Sequence, residues 1–140
     1  IKGRFEVIGQ KGKPLLILYG GHNEESARVL VQNLNKYYPS KKVTFIIGIL
    51  KRKDAKAVLK ELVRGAHRII LTSPTEEYHP AAKLKKYILK NVEWFTCPDL
   101  GEAFRLASAI TSTKDLVCIT GSFYLVGQFH CEERGLSTSL

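Results

Sequence analysis

Three short stretches hold the residues whose types and spacing could do chemistry. Gly20-Gly21-His22-Asn23 sets two glycines, an imidazole and a helix N-cap between an apolar strand and an amphipathic stretch. Thr120-Gly121-Ser122 repeats that arrangement with a hydroxyl. Ser73 to Pro80 is a polar loop holding two prolines. Glycines let a backbone approach an anion, and the first turn of a helix presents free N–H groups to it. The Ser122 hydroxyl could donate to a carboxylate or a phosphate. Each residue also has a purely structural reading. Gly20 and Gly21 suit tight strand-to-helix packing, and Ser122 suits a helix N-cap. His22, after two glycines at a helix start, is poorly explained by packing.

Other chemistries lack their residues. No G-x-x-x-x-G-K-[ST] occurs, and no GxGxxG follows a strand, so the phosphate cradle for any nucleotide must come from elsewhere. His67, His79 and His130 are isolated, and no His/Cys/Asp grouping has metal-ligand spacing, so no metal site is expected. Ser/His/Asp catalysis lacks a nucleophile elbow. Cys97, Cys118 and Cys131 show no CxxC spacing. Cys118 lies in the apolar run Leu116-Val117-Cys118-Ile119, where a thiol acts as a small hydrophobe. All three read as reduced thiols of a cytoplasmic protein.

The elements that must position these loops follow from periodicity. Arg4 to Gly9 alternates and reads as a strand, turned by Gly9 to Pro14 into a more buried strand, Leu15 to Tyr19. Asn23 caps a helix with Ala27, Leu30, Val31, Leu34 and Tyr38 at helical spacing. Lys42 to Ile49 is a β-branched buried strand. Asp54 caps a helix that ends at Gly65, and Arg68 to Thr72 is a strand. Ala81 to Lys90 reads as one short helix, and Val92 to Phe95 as a strand. Asp99 caps Leu100 to Ile110, Asp115 to Thr120 is the last strand, and Phe123 to Phe129 a final apolar helix. Strand and helix in alternation indicate a mostly parallel six-stranded sheet in three layers, with helices on both faces. One α/β domain is expected over residues 1–130, with 131–140 a loose tail. In such sheets ligands gather beyond the carboxyl ends of the strands, where the three loops lie.

Composition bounds the partners. With 22 Lys+Arg against 13 Asp+Glu among 140 residues, the net charge of +9 favours anionic partners. The charges are spread over Lys41-Lys42, Lys51-Arg52-Lys53 and Lys83-Lys85-Lys86, at element ends and helix faces. No helix-turn-helix pattern or basic-aromatic RNA motif is present, so no nucleic-acid partner is expected. No apolar run approaches the ~20 residues of a bilayer span, so no membrane partner is expected. The sequence contains no Met, and an excised or trimmed chain with further sequence before Ile1 is expected.

The motifs, in order, resemble a known family. Gly3-Arg4-Phe5-Glu6-Val7, Pro14 to Asn23, Ser26-Ala27, Gly48-Ile49-Leu50 with Lys53-Asp54, and Thr120 to Gly127 are similar to the C-terminal domain of folylpolyglutamate synthase/dihydrofolate synthase, in the Mur ligase superfamily. That family reads GRFE, DGAHN, G-x-L-x-x-KD and TGSLYLVG at these places. The resemblance implies a Rossmann-like Mur ligase C-terminal fold and an ATP- and magnesium-dependent ligase that adds glutamate to folate. In such a ligase the acceptor carboxylate is phosphorylated, and the amine of glutamate attacks the acyl phosphate. An N-terminal P-loop ATPase domain, absent from this chain, would supply the phosphate cradle and hold the Mg2+. The isolated domain would be inactive and bind no cofactor alone.

Residue by residue, the resemblance implies that Arg4 reaches the ATP phosphates, where a guanidinium can clamp oxygens. It implies that His22 is a catalytic residue near the amino acid and phosphates, and that Ser122 helps to bind glutamate. Tyr19 stands where the family has an Asp that holds the ribose of ATP, and Gly21 replaces the family Ala. The segment from Phe129 to Leu140 departs from the pattern. A second reading, from another class, is a non-catalytic binding or scaffold domain of the same fold whose site has decayed at Tyr19.

Overall fold

The computed structural model describes residues 5–89 and 91–133. The chain runs β1 (Glu6–Ile8), β2 (Leu15–Tyr19), α1 (Glu24–Tyr37), β3 (Val43–Ile47), α2 (Ala55–Val63), β4 (Arg68–Leu71), α3 (Ala81–Leu84), β5 (Glu93–Thr96), α4 (Leu100–Ile110), β6 (Leu116–Thr120) and α5 (Phe123–Glu133). One six-stranded sheet has the order β1-β2-β6-β3-β4-β5. All neighbours are parallel except β1, which pairs antiparallel with β2. The expected three-layer α/β fold is therefore present.

Alternation along each strand sorts side chains between the two faces. Ile17, Phe45, Ile47, Ile69, Leu71 and Cys118 pack under α1, α2 and α3. Leu16, Leu18, Ile46, Ile70, Val117 and Ile119 pack under α4 and α5. The central strands are covered on both faces, and β3 and β6 are buried at every position.

The caps act as the spacing indicates. Asn23 Oδ1 accepts from Ser26 N at 2.8 Å, and Ser26 Oγ accepts from Asn23 N at 3.1 Å, a reciprocal capping box. Asp54 caps α2 through Ala57 N, and Asp99 caps α4 through Glu102 N. Two elements differ from the sequence reading. The helix expected over Ala81 to Lys90 is α3 followed by a 3-10 turn, Lys85–Tyr87. Its N-cap, Pro80, makes no side-chain capping bond, and Ile88 leaves helical geometry to lead toward the edge strand β5. Lys90 lies outside the described residues. Residues 131–133, expected to open the loose tail, continue α5, where Gln128 Nε2 donates to Glu132 Oε2 one turn on at 2.7 Å. Residues 134–140 lie outside the described residues.

Candidate functional site

Strands β2 and β6 are neighbours, with Tyr19 in register with Thr120. The two glycine loops therefore leave the sheet side by side. The His22 ring stands edge-on to Phe123, centroids 5.9 Å apart, and Phe123 directly follows Ser122. His22 and Ser122 thus lie at neighbouring helix N-termini. A cavity of about 310 Å³ opens beside His22, lined by Tyr19, Gly21, His22, Asn23, Ser26 and Phe123 among others. Arg4 lies outside the described residues.

His22 is held as a weak base. Burial lowers its pKa first, and the charges of Lys53 and then Arg52 lower it further. Its Nδ1 is buried without a hydrogen-bond partner. A neutral ring with an unused nitrogen is suited to a ligand contact that changes its protonation. Removing one of the cations has a definite sign. In Lys53→Met the His22 pKa should rise toward its ordinary value of about 6.5, as read by NMR titration of the imidazole signals. No rise would show that Lys53 does not act on His22. The unfolded chain binds this proton more tightly than the folded one. The stability contributed by neutral His22 is therefore complete above about pH 6.5 and lost as pH falls through the lowered folded value.

The sequence places Lys51-Arg52-Lys53 among spread charges that favour anionic partners and singles out Lys53-Asp54 only within the motif, and the structure adds that Arg52 and Lys53 act on His22. Their position just beyond the carboxyl end of β3 is the signal that could have singled them out.

Tyr19 and Gly21 depend on each other. Tyr19 is 9% exposed, and its ring meets Phe5 edge-on at 6.1 Å. A Cβ placed on Gly21 would stand 2.5 Å from Tyr19 Cε2 and 2.7 Å from Ser26 Cβ. The phenol ring occupies space that a residue-21 side chain would need. The side chains at positions 19 and 21 therefore compete for one space, with Ser26 closing its other side.

Ser122 is 1% exposed, and its Oγ accepts from Leu125 N at 2.9 Å. It caps α5, which leaves the hydroxyl proton to donate elsewhere. Gly121 has φ +115°, and a Cβ there would collide with the Gly48 carbonyl. This glycine seats the start of α5 directly on the end of β3.

The third loop is tied down. Lys51 N donates to Glu77 O at 2.9 Å, His79 N to Ile49 O at 2.8 Å, and the His79 ring meets Lys53 O at 3.0 Å. Thr72 Oγ1 donates to Pro98 O at 2.8 Å. The bonds of Glu77 and His79 to Lys51, Ile49 and Lys53 brace the β3–α2 connection that carries Arg52 and Lys53. Burial pushes the Cys118 thiol well above its ordinary range, which fits a hydrophobe rather than a nucleophile. Among the described residues, no group of three or more His, Cys, Asp or Glu could hold a metal ion, and no helix is long and apolar enough to cross a membrane.

Residues 3–123 match the family described as Mur ligase, glutamate ligase domain. The chain belongs to that family. It is 30% identical over 138 residues to a dihydrofolate synthase/folylpolyglutamate synthase of Buchnera aphidicola, covering 92% of this chain and 31% of that protein. The fold superposes on a bifunctional folylpolyglutamate synthase/dihydrofolate synthase from Yersinia pestis, solved with AMPPNP and Mn ion, at a TM-score of 0.84 and 27% identity, over 96% of this chain and 32% of that one. A structure of a bifunctional folylpolyglutamate synthase/dihydrofolate synthase with Mn, AMPPNP and L-glutamate bound matches at a TM-score of 0.81 and 30% identity, over 96% and 32% of the two chains. The chain spans about a third of the length of the relatives it matches. Where the resemblance has DGAHN, this glutamate ligase domain carries Tyr19-Gly20-Gly21-His22-Asn23.

Proposed function

We propose that this chain is the amino-acid-binding C-terminal part of an ATP-dependent ligase that adds glutamate to a folate. The observation that supports the reading is the gathering of Tyr19, His22 and Phe123, the residue after Ser122, around one cavity in a glutamate ligase domain. In this reading His22 is the catalytic residue of the chain, facing the phosphate being transferred. Neutral at physiological pH, it can accept a hydrogen bond or take up a proton as negative charge develops beside it. The Ser122 hydroxyl, fixed as the α5 cap, donates its proton to a carboxylate of glutamate, while Arg4 and Tyr19 face ATP. ATP and Mg2+ would be held largely by an N-terminal P-loop domain, the inferred partner, and the protein would act in the cytoplasm. The metal supplies charge neutralisation on the phosphates when bound.

The test is reconstitution. The chain alone should release no ADP in the presence of ATP, Mg2+, glutamate and folate acceptor. Joined to the N-terminal two thirds of a family ligase, it should restore glutamate-dependent ADP release. In the joined enzyme, Ser122→Ala should raise the KM for glutamate by about tenfold, the worth of one hydrogen bond to a charged group. Turnover by the chain alone would overturn the division of labour. A joined enzyme that folds but stays silent, and recovers no activity with Tyr19→Asp, would favour a non-catalytic module instead.

A further inference from the structure

One large apolar side chain at the start of α5 is not used by the core. Leu125, Val126 and Phe129 of that helix pack under the sheet. Phe123 is 39% exposed and belongs to neither core cluster. Its ring instead meets the His22 imidazole, with centroids 5.9 Å apart and the two planes at 84°. Both residues line the same cavity. Edge-on pairing at this separation is a preferred arrangement of aromatic rings.

The backbone on either side of the contact is pinned. Gly121, at φ +115°, sits against the Gly48 carbonyl, and Ser122 Oγ accepts from Leu125 N at 2.9 Å. Phe123 therefore starts from a fixed point. Across the cavity, the reciprocal bonds of Asn23 and Ser26 fix the backbone that follows His22. Those bonds leave the imidazole free to turn about its own side-chain torsions, and the outer torsion of a histidine is broad. An aromatic neighbour restricts that rotation because its quadrupole favours one interplanar angle. An aliphatic side chain of similar size covers the ring but favours no angle.

We propose that Phe123 is a positioning residue, whose ring holds the His22 imidazole in one orientation at the cavity. The inference rests on the reading of His22 as the catalytic residue and deepens it, since Phe123 acts on the reaction through His22. The experiment compares Phe123→Leu, which keeps the apolar cover, with Phe123→Tyr, which keeps the ring. In the chain alone, NMR reads the contact without any ligase activity. Phe123→Leu should move the His22 ring-proton signals, because the ring current at position 123 is gone, and Phe123→Tyr should keep them near their parent positions. The substitution lies outside both cores, so Phe123→Leu should melt within about 3 °C of the parent.

In the enzyme joined to a P-loop domain, Phe123→Leu should lower kcat about fivefold, the scale of one aromatic pair, and leave the KM for ATP and for glutamate nearly unchanged. Phe123→Tyr should restore most of that rate. In a His22→Ala background, Phe123→Leu should cost nothing further, because residues that act through one another are not additive. Unmoved His22 signals in Phe123→Leu, or the same fivefold loss with His22 absent, would overturn the positioning role. A joined parent enzyme that stays silent would instead overturn the ligase reading and the catalytic role with it, while the NMR spectra of the chain alone still decide the ring contact.

Discussion

Gly121→Ala is expected to melt about 10–15 °C below the parent chain, a loss of roughly 3–5 kcal/mol. Two costs add. At φ +115° the backbone lies in a region that L side chains rarely adopt, worth about 1–3 kcal/mol. The new methyl would also collide with the Gly48 carbonyl, and backbone at the end of a central strand, held by the bond from Gly48 N to Thr120 O, cannot swing aside as a side chain does. Overpacking of this kind costs about 1–3 kcal/mol more. Gly12 is the control. It also has positive φ, +72°, but nothing stands within 4 Å of its missing Cβ. Gly12→Ala should therefore cost only about 1–2 kcal/mol. Equal melting temperatures for the two variants would mean that the contact with Gly48 relaxes freely.

The second large effect concerns Tyr19 and Gly21. Tyr19→Asp should lower stability by about 3–5 kcal/mol, the usual cost of emptying a buried aromatic site. Gly21→Ala should also destabilise, because its Cβ would meet the Tyr19 ring and Ser26. The double variant should be more stable than the sum of the singles by about 1–2 kcal/mol, since residues in contact couple. Part of the cost remains, because the Ser26 contact persists and Ser26 is held in the capping box. Denaturant melts of the four chains complete the cycle. In the enzyme joined to a P-loop domain, the same Tyr19→Asp change should tighten the apparent affinity for ATP by about tenfold, because a carboxylate accepts two ribose hydroxyls in charge-assisted bonds. The maximal rate should move less, because such a contact is similar in ground and transition states. Strict additivity would remove the packing link. An unchanged ATP requirement would show that residue 19 does not face the ribose.

Much of the fold was legible because its signals are local. Asn23, Asp54 and Asp99 each announce a helix one residue before it starts, and α4 runs over the residues that its periodicity gives. The pairing of β2 with β6 is not local, but the parallel alternation and the ligand-face rule still brought His22 and Ser122 to one edge. Three features were out of reach. The break after α3 depends on where the chain must go to meet β5, which no single residue encodes. The Tyr19–Gly21 link needs the ring's direction. Tyr78 sits in a polar loop, and only packing makes it buried. Arg52 and Lys53 were visible as charges, but their reach to His22 depends on how the loop beyond β3 is held.

That hold has a consequence of its own. The Ile49–Lys53 segment and the Glu77–His79 turn share backbone hydrogen bonds in both directions, and the His79 ring closes onto Lys53. Two segments distant in sequence therefore make one piece of scaffolding. An insertion or deletion in either turn must be matched in the other, or the bonds between them are lost. Length at these places is constrained as a pair, while the side chains of Arg52, Lys53 and Glu77 are left unspecified by those main-chain bonds. Such a frame lets the charge facing His22 be retuned by single substitutions without rebuilding the backbone beneath it.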